Sequence, residues 1–251
     1  MKIIPLFITL AFTLNCYSRC KSNGWTFFPS KSKISENSLF IIDGYARTQE
    51  IINNIGKRHN TYLKSGEEKI KLNVIEILVG QFSITQAVLK PEKNLTVGRE
   101  YELIIEGIVN EYDKPTRYNT VTNKYEKVMW KVTSSIDIDA PKWVTKPLFK
   151  NSSYVMFGCG PDVSSNFTFM ASDSSEFLIR TTVKNLTSGK QTSYYLSPDK
   201  NTIEIGHGMC SGAFEFGNDE KFEVEFTLMD LCGNTTVWKD NRIPFNNPKN
   251  N

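Results

Sequence analysis

The stretch Leu89-Lys-Pro-Glu-Lys-Asn-Leu-Thr-Val-Gly-Arg-Glu-Tyr-Glu-Leu-Ile-Ile105 decides the fold class. It reads as the end of one strand, a tight crossing loop and the start of the next. Pro91 closes the first strand because it has no N–H to give to a ladder. Leu95 and Val97 are expected as apolar plugs beneath the loop. Gly98 supplies a turn that a residue with a Cβ would resist. Beyond it, Tyr101, Leu103 and Ile105 alternate with Glu102, Ile104 and Glu106, close to the period of two of a half-buried strand. The stretch predicts an all-β module and carries no chemistry of its own.

Upstream, the aromatic run Trp25-Thr26-Phe27-Phe28 is expected to pack onto this module. Leu39 to Ile42 reads as a short apolar strand stopped by Asp43-Gly44. Ala46 to Ile55 is ambiguous, because Ile51, Ile52 and Ile55 sit at helical spacing before Gly56. Lys69 to Val79 alternates as a strand with one buried face, and Phe82 to Leu89 is the next strand. The polar segment Tyr112 to Lys127 predicts a long hairpin or loop before the strand Val128 to Val132. Asp137-Ile-Asp-Ala-Pro-Lys-Trp143 marks a boundary, with Trp143 docking as the first strand of a second module. After it come about seven short strands, at 153–158, 166–171, 176–183, 191–196, 202–205, 213–216 and 221–229. Their spacing of roughly 8–12 residues is a sandwich signal. The Asn- and Pro-rich tail from Ile243 is expected to fray.

The pattern Leu-x-Pro-x-x-x-Leu-x-x-Gly-x-x-Tyr-x-Leu-x-Ile resembles the D-to-E strand region of bacterial immunoglobulin-like domains. Pro29 followed by Asn37 to Ile42 is similar to the opening of such domains. Leu228-Met-Asp-Leu-Cys-Gly-Asn-Thr-Thr236 resembles the last strands of a second one. The resemblance implies two tandem immunoglobulin-like β-sandwiches, over residues 22–136 and 137–247. It implies nothing about chemistry, since such modules host many functions.

The N-terminus reads as a targeting segment: Lys2, then an apolar run from Ile3 to Leu14 that is short for a bilayer span. Two exits are open. Cleavage after Ser18 gives a signal peptide over residues 1–18. Alternatively Leu14-Asn15-Cys16 is a loose lipobox, with a signal over 1–15 and Cys16 as the lipidated residue. Export agrees with the cysteines. Cys20, Cys159, Cys210 and Cys232 form an even set, as expected of disulfides in an oxidising compartment. One bridge is expected within the second module and another from Cys20 to it.

The chain has 251 residues, a net charge of +3 and 23% charged residues. Its Lys and Arg are scattered, which gives no warrant for a nucleic-acid partner. The Gly206-His-Gly-Met-Cys-Ser-Gly212 run is the sharpest local feature. His207 and Met209 make it a candidate ligand-contact loop, and Cys210 a candidate bridge. His59 and His207 are the only histidines and no spaced Cys pair accompanies them, so no metal or cofactor is expected. Asp137, Asp139 and Asp230 read as turn-formers that bond nearby backbone. No nucleophile elbow, metalloprotease helix or phosphate loop appears, so no catalytic residue is assigned. Five Asn-x-Ser/Thr sequons occur, at Asn94, Asn151, Asn166, Asn185 and Asn234. They are glycan sites only in a eukaryotic secretory pathway. Tyr118, Tyr125, Tyr194 and Tyr195 lie near predicted loops or strand ends; they are expected to pack in the core or on a strand face, with contact to a sugar or protein as the alternative.

The expectation is an exported, non-enzymatic binding or scaffold protein of the cell envelope or the medium, meeting a protein or glycan through loops or a sheet edge. Its link to a membrane would be a lipid on Cys16. The alternatives are a structural spacer and, as a minor one, an enzyme of unrecognised type.

Overall fold

The computed structural model describes residues 20–238 and 242–250. The signal-peptide readings and Cys16 fall outside the described residues. The first half contains β1 (Asn23–Phe28), β2 (Lys33–Ser35), β3 (Phe40–Ala46), α1 (Thr48–Asn53), β4 (Thr61–Ser65), β5 (Glu68–Val79), β6 (Ile84–Pro91), β7 (Glu100–Ile105), β8 (Thr116–Asn119), β9 (Lys124–Lys127) and β10 (Met129–Ser134). The second contains β11 (Lys142–Phe157), β12 (Gly160–Ser172), β13 (Phe177–Asn185), β14 (Gln191–Leu196), β15 (Thr202–His207), β16 (Lys221–Asp230), β17 (Thr235–Val237) and β18 (Ile243–Asn246). The protein is all-β. Among the described residues no helix is long and apolar enough to cross a membrane.

Eight strands form one path in the order β1-β3-β6-β5-β4-β7-β10-β2. Its corner is β5, whose pairing changes along its length. Glu68–Lys71 pairs with β4, and Leu72–Val79 pairs with β6 across a register shift between Val74 and Glu76. A bulge bends the strand and raises its twist, so the path folds over itself. Phe40 of β3 then meets Trp130 of β10 edge-on, with ring centroids 4.7 Å apart. Between the two halves of the path lie Phe40, Ile42, Leu63, Leu89, Tyr101, Leu103 and Trp130, all buried.

The second half adds a three-stranded sheet, β11-β12-β15, and a sheet of β14-β13-β16-β17 with β18 also on β16. The apolar cluster of these strands is not theirs alone. It takes in Phe28, Leu39, Ile41, Leu78 and Val88 from the first half. Successive strand residues point to opposite faces. Phe40 and Ile42 therefore serve one core, and Leu39 and Ile41 the other. The layer β1-β3-β6-β5 is a wall common to both cores, so the halves form a three-layer body rather than separate beads. This explains the unbroken apolar run at Leu39–Ile42, since a strand buried on both faces needs no alternation.

Several local expectations change. Asp43 and Gly44 do not stop β3 but continue it, paired with Thr26 and Trp25 of β1. Ala46–Ile55 resolves into the short helix α1, with Ile52 buried. Leu95 is buried, but Val97 is 50% exposed and plugs nothing. Ala213–Phe216 is not a strand, although Ala213, Phe214 and Phe216 are buried as loop residues. The tail from Ile243 does not fray: Ile243–Asn246 pairs with β16, and Asn247 donates to the Asp219 and Gly217 carbonyls. Trp143 opens a 16-residue edge strand that pairs with β12.

Candidate functional site

The sequence-predicted loop lies at the seam between the halves. Gly206 and Gly212 are there for close approach. A Cβ on Gly206 (φ +152°) would stand 1.9 Å from the Val163 carbonyl oxygen, and one on Gly212 would stand 2.3 Å from the His207 Cα. The loop is laced to the first half. Phe82 N–H donates to Gly212 O (3.1 Å), Gly212 N–H donates to Phe82 O (2.8 Å), and Gln81 N–H donates to Ala213 O (3.1 Å). The His207 ring packs edge-on against Phe82 at 5.1 Å, and its Nδ1 lies 2.9 Å from Gly208 O. Met209 is half-buried. The bridge Cys20–Cys210 crosses the same seam over 190 residues of sequence.

This is the expected tie from Cys20 to the second half. The expected bridge within that half is not formed, because Cys159 and Cys232 are not joined to each other. Cys232 lies beside Asp230 in a turn, and burial pushes its thiol up to about 11. Asp230 holds that turn by accepting from Cys232 N–H and Asn234 N–H, each at 2.8 Å. Asp137 accepts from Asp139 N–H, and its own N–H and carbonyl are both bound by the Asn37 side chain. These aspartates are therefore turn-formers, as read from the sequence. Among the described residues no three His, Cys, Asp or Glu side chains gather as a metal set.

Beneath the loop lies a cavity of about 300 Å³ lined by Asp43, Tyr194, Glu204 and His207, among others. Its floor is a buried polar network. Gln86 donates to Asp43 Oδ1 (2.7 Å) and to Tyr195 O (3.1 Å), and accepts from Tyr195 N–H (3.0 Å). Tyr194 O–H donates to Asp43 Oδ1 at 3.1 Å. Burial pushes the Asp43 carboxyl up to about 7 against these two hydrogen bonds. Tyr194 and Tyr195 are thus seam residues rather than exposed contacts. Arg180 ties the seam from one side, with two bonds to Glu76 (2.6 and 2.8 Å) and one to the Tyr195 hydroxyl (3.1 Å).

Tyr118 and Tyr125 are placed elsewhere, on a cleft of about 740 Å³ between β1 and the β8–β9 hairpin. Three contacts hold the approach to the hairpin against β1 and α1. Asn23 Nδ2 donates to Asp113 Oδ1 (2.8 Å), Trp25 Nε1 donates to Asp113 O (3.1 Å), and Arg47 pairs with Asp113 (3.0 Å). Arg117 fixes the hairpin itself. Its guanidinium donates to the carbonyls of Ser30 (3.1 Å) and Pro29 (3.0 Å) and lies over the Phe27 and Trp130 rings. Desolvation there lowers the Arg117 pKa. The tyrosines stand on this frame with their rings 5.2 Å apart. Lys21 Nζ sits 5.2 Å above the Tyr125 ring, and Tyr112 at the rim is 86% exposed. Trp25 is half-buried in the wall. The cleft thus offers aromatic faces, the Lys21 donor and a wall that is already braced. Sequence reading found Tyr118 and Tyr125 but missed Tyr112 and Arg117, and it assigned Trp25 to packing alone.

No family model matches the chain, and no curated protein does. Solved structures similar to it include a pullulanase complexed with maltotriose from Anoxybacillus sp. LM18-11, at 9% identity and a TM-score of 0.26, covering 82% of this chain and 24% of that one. Another is the pullulanase type I from Bacillus subtilis str. 168 complexed with maltose, also at 9% identity and 0.26, covering 87% and 25%. The chain spans about a quarter of the length of these proteins. Likeness at that level carries no argument about activity.

Proposed function

We propose that this chain is an exported, non-enzymatic binding protein of the cell envelope or medium, and that the cleft under the β8–β9 hairpin is where it holds a glycan. The observation that carries the reading is the set Trp25, Tyr112, Tyr118 and Tyr125 around about 740 Å³ of concave space, with Lys21 at its side. Flat aromatic faces suit the apolar face of a sugar ring, and the lysine suits its hydroxyls. Aromatic side chains give much contact area at low entropy cost. The Cys20–Cys210 bridge supports an oxidising compartment. The layered strands, antiparallel except for the β10–β2 pair, support the finer reading of the halves as immunoglobulin-like modules.

The test is retention of the purified protein on insoluble chitin, cellulose, curdlan and bacterial sacculi. At least one matrix is expected to retain it. The double variant Y112A/Y125A is expected to lose at least tenfold of that retention, since each stacked ring contributes about 0.5–1.5 kcal/mol beyond its area. Equal behaviour of the two proteins on every matrix overturns the cleft reading and leaves the spacer alternative.

A further inference from the structure

The far end of the β11–β12 hairpin carries an apolar surface that neither core absorbs. Tyr154, Val155, Met156 and Phe157 are 40%, 44%, 63% and 47% exposed. Neighbouring strand residues face opposite ways, so both faces of the ribbon are apolar here. Beyond the pair Val163–His207, β12 no longer pairs with β15. The last rungs, Val155–Asp162, Met156–Pro161 and Phe157–Gly160, pair β11 with β12 where, among the described residues, no third strand is hydrogen-bonded to them. From Asn151 to Asp162 the only charged residue is Asp162, whereas the other end of β11 carries Lys142, Lys146 and Lys150. A soluble surface seldom groups apolar residues this way without a partner.

The surroundings of the tip point to its partner. The Met209 carbonyl oxygen comes within 3.5 Å of where a Gly160 Cβ would stand, so the tip adjoins the residue next to the Cys20–Cys210 bridge. Cys20 is therefore held at the end of the molecule that presents the tip. The sequence ahead of Cys20 includes Cys16 and the apolar run Ile3–Leu14. Leu14 is six residues from Cys20, and six residues reach at most about 20 Å. A lipid on Cys16 would sit closer still. The chain's own candidate for membrane attachment is thus tethered within reach of this apolar surface.

We propose that the β11–β12 tip is a lipid-contacting surface, with Tyr154, Val155, Met156 and Phe157 seated at the headgroup–acyl boundary beside the segment ahead of Cys20. Apolar and aromatic groups at that depth add to a single lipid chain, which alone anchors only marginally. The inference rests on the export part of the proposed function.

The test uses the mature protein purified from an envelope-bearing host, as wild type and F157W, with its intact mass recorded. Difference fluorescence between the two is read with and without vesicles of phosphatidylethanolamine and phosphatidylglycerol (3:1) carrying doxyl-labelled lipid. The expected result is a blue shift of the F157W indole on adding vesicles, at least twofold quenching by the doxyl lipid, and loss of quenching in F157W/M156D. An acyl mass on Cys16 with an unshifted indole overturns the tip surface while leaving export standing. Quenching without an acyl mass supports the tip and removes the lipid anchor. An indole already blue-shifted before vesicles are added overturns the proposal in favour of cover by the chain itself or a second copy.

Discussion

Strands β3 and β11 are built from similar residues and meet opposite fates. β3 carries Phe40, Ile41, Ile42 and Tyr45, and five of its seven residues are buried. β11 carries Trp143, Val144, Leu148, Phe149, Tyr154, Val155, Met156 and Phe157, yet of its sixteen residues only Pro147 is buried. The difference lies in neighbours. β3 is inside a sheet with a core on each face, whereas β11 is an edge strand whose last rungs run past the end of the β12–β15 pairing. Apolar composition decides that a segment can be a strand. Sheet position decides whether its side chains are structural or available.

The comparison breaks most sharply at Ile41, which is fully buried in the second core although it belongs to the first half. Ile41→Ala is expected to cost about 2–5 kcal/mol. Chemical denaturation should show both halves losing stability together. Two separate transitions, with only one of them moved, would break the shared-wall account.

Asp43 sharpens the same point through pH. Its folded-state pKa is raised from 3.8 to about 7, so between those values the folded protein holds more protons than the unfolded chain. Stability from this group is fully present below about pH 4 and is lost as pH rises through 7. The loss amounts to about 4 kcal/mol at most. Asp43→Asn keeps an acceptor for Gln86 and Tyr194. It should be more stable than wild type at pH 8, with the two converging near pH 4. Thermal melts across that range check it, and parallel curves for the two proteins refute it.

Glu76→Gln loosens the same seam at its rim. Both side chains of the Arg180–Glu76 pair are about a third exposed, so solvent screens it and about 1 kcal/mol is expected, less at high salt. Smallest of all is Val155→Ala on β11. Within about 0.5 kcal/mol, its stability should match wild type in the same denaturation experiment, because no core would register the loss.

Much of the strand set was legible. β14 falls at residues 191–196 as the pattern predicts, and β7 follows its alternation with Tyr101, Leu103 and Ile105 buried, whereas β5 keeps it only at Ile70 and Leu72 before the bulge exposes Val74. The double burial of β3 was not legible. An apolar run of four looks the same whether one core or two awaits it, and the second core comes from strands more than a hundred residues later. The Gly206–Gly212 loop stood out in sequence, but the close approach of Gly206 to Val163 and of Gly212 to His207 could not be read there. The cleft was half legible. Exposed tyrosines on a polar hairpin could be marked, but the contacts that aim them, Asn23–Asp113 and Arg47–Asp113, join residues 90 and 66 positions apart. Tyr194 and Tyr195 pack in the core as first read, but the partner that fixes Tyr195, Gln86, lies 109 positions away.

The Cys20–Cys210 bridge has a mechanical consequence. Tension on the chain ahead of Cys20 does not have to pass along β1. It crosses the sulfurs into Cys210 and is delivered to the second half directly. The chain between the two cysteines, which are 190 positions apart, is shunted out of the load path. Stretched between its termini, the protein can yield only the chain outside that loop, and adding reductant should release a further contour of about 650 Å. A molecule held by its N-terminal end would thus bear force on one covalent bond, while the wall shared by its two cores stays unstrained.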